Sequence, residues 1–343
     1  MALTLKKISV ACAIATFSLY SGFAQAAPAP LTEPVKLTFA AQEVGTAAYN
    51  YASALQAVMI KGLPEGSSIN ITTSSPGAVG APIIVNGGKK ADIIMSNSAP
   101  ARWSYETGIL GKAPTKNIAS LGGGFGHDFV NVMFTQKFVE KTGIKTIEDL
   151  VAQKYPVKIV IKKNGSLGEL SAEKVFEALG VTFDDIEKWG GVVEKTGGDA
   201  IKSGLQDDIY DMTIDHIGAG QSNTTELCLT HDMYDVQLAD STLQKLVDMG
   251  YDYVEVAPNT WKGQETAIKS VGSQQEVLVS TSMDESVAYA LTKAIIENKD
   301  ELSQAVSAMK YFAPQTAGTK AITGVDLHPG AAAYYNEKGL PSK

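Results

Sequence analysis

The sequence contains little cysteine and almost no arginine. Its two cysteines are Cys12 and Cys228, and Cys12 lies in an apolar N-terminal stretch. If that stretch is removed, one cysteine remains and no internal disulfide can form, so the hydrophobic core must stabilise the chain. Lys and Arg together number 29, and Arg102 is the single arginine. No basic run exceeds two residues and the formal net charge is -8, which excludes a nucleic-acid partner and argues against binding to an anionic membrane surface.

The first 26 residues have the three parts of a secretory signal peptide. Lys6 and Lys7 form a short basic region, residues 8–23 are mostly apolar, and Ala24-Gln25-Ala26 fits the small-x-small cleavage pattern. The apolar part is too short for a membrane span, and no later segment reaches about 18 apolar residues in a row. We therefore expect cleavage after Ala26 and a soluble mature protein in the periplasm.

From residue 35 onward, β-like runs alternate with helical ones. Strands are predicted at residues 35–41, 68–73, 91–96, 118–122, 131–135, 157–161, 212–215 and 275–280, and helices at 47–61, 171–179, 199–206 and 284–297. This alternation predicts an α/β fold built on parallel sheets with crossover helices.

A glycine-rich stretch at residues 122–126 (GGGFG) marks a candidate boundary between two domains. A chain of 343 residues is long enough for two. No Lys-Ser/Thr pair follows the glycines and no helix begins there, so a flexible crossover between two lobes is favoured over a phosphate-binding loop.

Small polar residues follow several of the predicted strands, where parallel α/β sheets bind ligands. Three such loops precede the glycine-rich stretch and two follow it, which would let two lobes face each other across a shared cleft. The candidate ligand-binding residues are Gly45, Thr46, Tyr49, Ser74, Ser75, Ser96, Asn97, Ser98, Arg102, Asn164, Ser166, Leu167, Gly168, His216 and Gly218. Residues of these types could instead cap helices. Backbone N–H groups at helix N-termini suit a carboxylate or a phosphate.

Arg102 has two open interpretations. A guanidinium binds a carboxylate through two parallel hydrogen bonds, so Arg102 beside a polar loop is a candidate clamp for an anionic ligand. The alternative is a solvated arginine or a structural ion pair.

Sequence motifs of enzymes are largely missing. The four histidines are scattered, and H-E-x-x-H, zinc-ligand spacing, G-x-S-x-G and the P-loop pattern are all absent. Residues 171–174 (SAEK) match S-x-x-K by chance, without the accompanying motifs. We therefore expect a binding protein that uses no metal or cofactor, with a secreted hydrolase or lyase on a two-lobed scaffold as the alternative.

Three segments resemble the TAXI-type solute receptors of tripartite ATP-independent periplasmic (TRAP) transporters. Residues 325–339 (VDLHPGAAAYYNEKG) are similar to the terminal L-H-P-G-A-x-x-Y-Y-x-E-x-G stretch of that family, and residues 146–150 (TIEDL) to its S-x-x-D-L segment. The loop at residues 45–55 resembles the Gly-rich entry of the family and retains Tyr49 of its paired tyrosines. The G-S-G-T loop of the family appears here as GSLG at residues 165–168.

The resemblance implies a two-lobed periplasmic-binding-protein fold of type II-like form, with a mostly parallel sheet in each lobe and the ligand between them. We place lobe I at residues 27–129 plus 273–343 and lobe II at 130–272. The implied function is a monomeric receptor that captures a small anionic ligand, glutamate-like or a C5 dicarboxylate such as 2-oxoglutarate, for integral-membrane TRAP transporter subunits. A binding protein that serves a sensor is a further alternative.

Overall fold

The structure, a computed structural model, describes residues 27–44, 47–88 and 90–343. The predicted signal peptide and the candidate residues Gly45 and Thr46 therefore lie outside the described residues. Within the described ranges, no helix is both long enough and apolar enough to cross a membrane.

The chain forms strands and helices in alternation. The strands are β1 Lys36–Ala40, β2 Ser68–Thr72, β3 Ile93–Asn97, β4 Ile118–Thr135, β5 Lys158–Lys162, β6 Val192–Thr196, β7 Met212–Gly218, β8 Met233–Asp235, β9 Asp252–Val256 and β10 Ile268–Ser280. The helices are α1 Ala47–Met59, α2 Ala81–Val85, α3 Ser98–Glu106, α4 Gln136–Thr142, α5 Ile147–Ala152, α6 Leu167–Ala178, α7 Phe183–Lys188, α8 Gly198–Gln206, α9 Ser222–Thr230, α10 Asp240–Asp248, α11 Glu285–Glu297, α12 Lys299–Ala305, α13 Pro314–Ala317, α14 Lys320–Thr323 and α15 Pro329–Glu337. Two 3₁₀ turns lie at Ile60–Gly62 and Ser307–Tyr311.

All the described strands belong to one mixed sheet with the order β2-β1-β3-β10-β4-β7-β5-β6, with β8 beside β4 and β9 beside β10. Strands β1, β2 and β3 are parallel to one another, and so are β5, β6 and β7. Strands β4 and β10 are long and antiparallel to each other, and they join these two parallel groups. The α/β fold class is confirmed, and the two-lobed arrangement is consistent with it.

Helix α1 shows why the flanking helices form. Its buried residues Tyr51, Leu55 and Val58 follow one another at helical spacing, and each is at most 7% exposed. That stripe packs into a core with Phe39 of β1 and Leu291 of α11. Burial of such a stripe stabilises a helix of this length more than the intrinsic propensity of its residues does.

A second core covers the other half of the sheet. It buries Phe134 of β4, Ile159 of β5, Phe176 of α6 and Leu246 of α10. Because the two cores lie over different parallel groups of strands, each lobe has its own apolar interior.

The glycine-rich stretch at residues 122–126 differs from the sequence prediction. It is part of the continuous strand β4 and is no loop between two strands. Gly122 and Gly124 have positive φ angles of 138° and 82°, which a side chain would strain. A Cβ at Gly122 would also overlap the hydroxyl of Tyr335. Gly122 therefore allows close packing of α15 on β4.

The conspicuous C-terminal motif has a structural role. His328 Nδ1 accepts a hydrogen bond from the N–H of Gly330 at the start of α15. Gly330 lies so close to the carbonyl of Glu285 that a Cβ would overlap it. The motif residues thus fix α15 against α11 and β4, away from the cleft described next.

Candidate ligand-binding cleft

A cleft of about 440 Å³ lies where the two parallel groups of strands face each other. Ala40 and Asn97, at the carboxyl ends of β1 and β3, line one side, and Lys162 and Ile217, at the ends of β5 and β7, line the other. Its volume falls within the range typical of sites for small organic ligands. The strand-end position predicted from the sequence is where the structure places this cleft.

The structure brings together eight of the residues predicted for the site. These lining residues are Ser75, Ser96, Asn97, Asn164, Ser166, Leu167, Gly168 and His216. Five others do not line the cleft, namely Tyr49, Ser74, Ser98, Arg102 and Gly218. The Ser74 hydroxyl instead bonds to Thr72, and the Ser98 hydroxyl accepts from the N–H of Gln274.

Arg102 differs most from its sequence interpretation. Its guanidinium donates to the carbonyl of Gly250 at 2.8 Å, and the indole of the neighbouring Trp103 donates to the carbonyl of Met249 at 2.6 Å. Arg102 and Trp103 of α3 therefore both bind the turn after α10. Arg102 therefore makes a structural contact with this turn and does not line the cleft, which favours a structural role over a clamp on a ligand carboxylate.

Several lining residues were not predicted from the sequence. They are chiefly Gln42, Asp128, Lys162, Lys163, Asp215, Gln221 and Gln275. Asp215 ends a predicted strand and Lys162 directly follows one, so their position was a usable signal. Asp128 and Gln275 lie within the long strands β4 and β10, and the alternating pattern gave no indication that these strands cross the cleft.

The wall near β3 is held by polar side chains. Ser96 is 2% exposed and donates from its hydroxyl to the carbonyl of Ala78 at 2.9 Å. This bond fixes the loop that carries Ser75 against the end of β3. Asn97 is the N-cap residue of α3, yet its side chain does not cap the helix. It points toward Asp128 and donates to Oδ2 at 3.1 Å.

The opposite wall contains the N-terminus of α6. Ser166 caps the helix by accepting from the N–H of Glu169 at 3.1 Å. Leu167 and Gly168 are the first two helical residues, so their N–H groups have no acceptor within the helix. Lys195 pairs with Glu169 at 2.7 Å and fixes this first turn. The N-terminus of α6 therefore offers the cleft free N–H groups and a fractional positive charge.

Asp215 and Lys162 form an ion pair beside this helix. Lys162 Nζ lies 3.3 Å from Asp215 Oδ2, and the N–H of His216 donates to Asp215 Oδ1 at 2.8 Å. Burial raises the pKa of Asp215 above its usual value, and Lys162 opposes that shift. The carboxylate is packed tightly enough that a Cβ at Gly168 would overlap its Oδ1.

His216 is neutral and locked in place. Its Nδ1 and Nε2 lie 2.9 Å and 3.0 Å from the hydroxyls of Ser171 and Ser273. Burial lowers the pKa of His216 to about 3, with a further contribution from His127. Its ring therefore offers a ligand no positive charge near neutral pH.

Asp128 lies on β4, lines the cleft and is half-buried. Asn97 and Gln275 donate to its Oδ2 at 3.1 Å and 3.0 Å. Burial raises its pKa, and these two amide donors oppose the shift. Burial, together with the nearby charge of Asp128, raises the pKa of Tyr51 to about 12.

The arrangement suits binding better than catalysis. Ser171 and His216 are in hydrogen-bond contact, as a nucleophile and its base would be. Ser171 is fully buried, however, it does not line the cleft, and its hydroxyl also bonds to Tyr251. Within the described ranges, no group of three or more His, Cys, Asp or Glu residues could hold a metal ion.

The fold, with its cleft at the strand ends, is the periplasmic binding-protein fold. The chain belongs to the NMT1-like family, whose model matches residues 39–339. A comparison with curated proteins finds no match.

Solved structures with this fold are distant in sequence. A TctC solute-binding protein from Polaromonas is 14% identical, with a TM-score of 0.54 over 89% of this chain and 96% of that one. MatC from Rhodopseudomonas palustris, solved with bound malate, is 14% identical, with a TM-score of 0.51 over 90% of this chain and 97% of that one. A Xanthomonas citri protein bound to ATP is 9% identical, with a TM-score of 0.51 over 89% and 99% of the two chains. At these sequence identities, the structural similarity shows a shared fold and nothing about the ligand.

Proposed function

We propose that the protein is a periplasmic solute-binding receptor that captures a small organic acid and delivers it to a membrane transporter. The observation that carries the proposal is the polar cleft of about 440 Å³ at the facing strand ends of two lobes. Membership of the NMT1-like family and the periplasmic binding-protein fold support this function. Among the described lining residues, the serine hydroxyls of Ser75, Ser96 and Ser166 bond to backbone groups and not to a side-chain base, which argues against the hydrolase alternative.

The proposed ligand is a small carboxylate, glutamate-like or a C5 dicarboxylate such as 2-oxoglutarate. The N–H groups of Leu167 and Gly168 would bind one carboxylate, because a helix N-terminus favours an anion. Lys163 lines the same side of the cleft and adds positive charge there, whereas the charge of Lys162 is matched by Asp215. The malate seen in MatC is a ligand of this size and class.

The proposed partners and location follow from the same role. The receptor would be monomeric, exported with cleavage after Ala26, and would serve integral-membrane subunits of a TRAP-type transporter; the resemblance to TAXI-type receptors motivates that choice. The lobe boundaries near residues 129/130 and 272/273 remain part of this proposal. They fall in β4 and β10, the two strands that join the lobes.

A thermal-shift screen of the purified mature protein tests the proposal. The screen compares small acids with their neutral amides, for example glutarate with glutaramide, because each pair differs mainly in charge. A ligand at 100 times its Kd should add about 2.7 kcal/mol to the free energy of unfolding. We expect an acid to raise the Tm and its amide to leave it unchanged. Stabilisation by neutral or cationic solutes alone would contradict the assignment to organic acids.

A further inference from the structure

The charges that line the cleft are unequally matched. Among the described lining residues, the charged ones are Asp128, Lys162, Lys163 and Asp215. Lys162 is committed to Asp215, with 3.3 Å between Nζ and Oδ2. Asp128 forms no ion pair with a described lysine, arginine or histidine. Among the described residues, the side chains that donate hydrogen bonds to it are the amides of Asn97 and Gln275.

These two amides hold Asp128 as an acceptor and leave part of its capacity open. Both donate to Oδ2, whereas Oδ1 receives one longer contact from Gln275 at 3.3 Å. A carboxylate has about four acceptor positions on its two oxygens. Because Asp128 lines the cleft, this remaining acceptor capacity is within reach of a donor on a bound ligand.

If the cleft closes over a ligand, the Asp128 carboxylate loses water, which is unfavourable in free energy. Removal of water from an ionised carboxylate is unfavourable unless a positive group is placed against it. A dianionic oxo acid offers no such group and would add like charge. An amino acid offers an ammonium for Asp128 and a carboxylate for the N-terminus of α6, so a positive and a negative group of the ligand would each be matched.

We propose that Asp128 accepts the protonated amine of the ligand, so that the cleft selects an amino acid over the oxo acid of the same carbon skeleton. This inference rests on the proposed receptor function, and within it favours a glutamate-like ligand over 2-oxoglutarate. A purely structural Asp128 would join β3 to β10 through Asn97 and Gln275. It would then contribute to stability, but not to the choice between two ligands of the same carbon skeleton.

Isothermal titration at pH 7 with matched pairs of ligands tests the inference. The pairs are glutamate with 2-oxoglutarate, alanine with pyruvate, and leucine with 4-methyl-2-oxopentanoate, which cover several ligand sizes. We expect the amino acid to bind about 10- to 100-fold more tightly in the pair that fits, which is the range for a hydrogen bond to a charged group. This comparison uses the wild-type protein, so it does not depend on the folding of any variant.

Two substitutions then assign the preference to Asp128. Asp128→Asn should reduce the preference for the amino acid to near unity, and Asp128→Ser serves the same purpose if the new amide disturbs Asn97 and Gln275. Asp300→Asn makes the same change of net charge at an exposed position of α12 and should retain the preference.

The outcomes separate the two proposals. Oxo acids that bind as tightly as the amino acids, or a folded Asp128 variant that keeps the full preference, would overturn the role of Asp128 and leave the receptor function standing. No binding by either member of any pair, nor by the acids of the thermal-shift screen, would overturn the receptor function and this inference with it.

Discussion

His216 is a buried histidine that both its neighbours and its environment keep neutral. Burial lowers its pKa from 6.5 to about 3, whereas in the unfolded chain it would titrate near its ordinary value. The unfolded state therefore binds a proton that the folded state does not, from about pH 6.5 down to about pH 3. In that window stability should fall as the pH falls, by up to about 1.4 kcal/mol for each pH unit.

Urea unfolding of the wild type and of His216→Gln at pH 7, 6, 5 and 4 measures this effect. The buried carboxylates Asp215 and Glu276 act in the opposite direction, because burial raises their pKa values. They are common to both proteins, so the difference between the two stability curves isolates His216. We expect the advantage of the wild type to shrink with acidification. A constant difference across the range would show that His216 does not titrate on unfolding.

At the residue scale, the sequence predicted which loops reach the cleft better than which side chains do. Ser166 and Asn164 were found because small polar residues after a buried strand have a known geometric meaning. Asp128 was missed because its neighbours form a continuous strand. The two interpretations of Arg102 could not be separated from the sequence, because its orientation depends on α3 and the turn after α10. Side-chain direction comes from packing between distant segments, and a single sequence does not record it.

At the scale of secondary-structure elements, Arg102 helps to join α3 to the turn after α10. The bond from Arg102 to the Gly250 carbonyl and the edge-on contact of Trp103 with Tyr251, with ring centroids 5.1 Å apart, join these segments. Arg102→Ala should lower the free energy of unfolding by about 1–3 kcal/mol, since it leaves a carbonyl without its charged donor. The affinity for an acidic ligand should change less than threefold.

Chemical denaturation and isothermal titration of Arg102→Ala measure these two quantities. Arg102→Lys is the matched control, because it keeps a charged donor on a flexible stem and should retain part of the stability. A large loss of affinity at unchanged stability would restore the original interpretation of Arg102 as a ligand clamp.

The first turn of α6 requires a glycine at its second position. A Cβ at Gly168 would overlap Asp215 Oδ1 and Lys162 Cγ, so Gly168→Ala must displace the ion pair beside the cleft. We expect a Tm lowered by several degrees, corresponding to the 1–3 kcal/mol cost of overpacking, and a ligand affinity at least tenfold weaker.

Gly197→Ala is the control for this substitution. Gly197 precedes α8, and a Cβ there would meet nothing within 4 Å. Its Tm and affinity should therefore stay close to those of the wild type. A Gly168→Ala protein with wild-type affinity would show that the position of the Asp215–Lys162 pair does not matter for binding.

Element types were predictable wherever the hydrophobic period was clear. Helices α1 and α11 and strands β1, β2 and β5 lie where the sequence predicts them, because each buries a periodic stripe or a short apolar run. The prediction for residues 122–126 failed because glycine normally marks a break in a strand. Here Gly122 is needed because α15 packs directly on β4, and a sequence pattern does not show such a tertiary contact.

At the scale of the whole molecule, the long strands β4 and β10 connect two lobes with separate cores. Their pairing contains two register shifts, between Gln274 and Glu276 and between Val277 and Leu278. The glycines of β4 pair with β10 in this same region, and helices pack closely on them. Both shifts lie within lobe I, close to the proposed boundaries at residues 129/130 and 272/273 where the two strands pass into lobe II, so irregular pairing lies beside the crossing.

Ligand binding should close the cleft by bending of β4 and β10 near the proposed lobe boundaries at residues 129/130 and 272/273, next to these register shifts. A ligand that contacts α6 on one side and Asp128 and β3 on the other gains its full set of contacts only when the walls approach, so it favours the closed arrangement. Small-angle scattering with a saturating ligand from the screen should show a smaller radius of gyration than the ligand-free protein. Hydrogen exchange should slow at residues 274–278 and at the first turn of α6, while the interiors of the two cores keep their protection.

Glutaramide, if it does not bind in the thermal-shift screen, provides the negative control for both measurements. A radius of gyration that stays constant at full occupancy, with protection gained only at α6, would contradict closure and indicate a preformed cleft that binds its ligand without lobe movement.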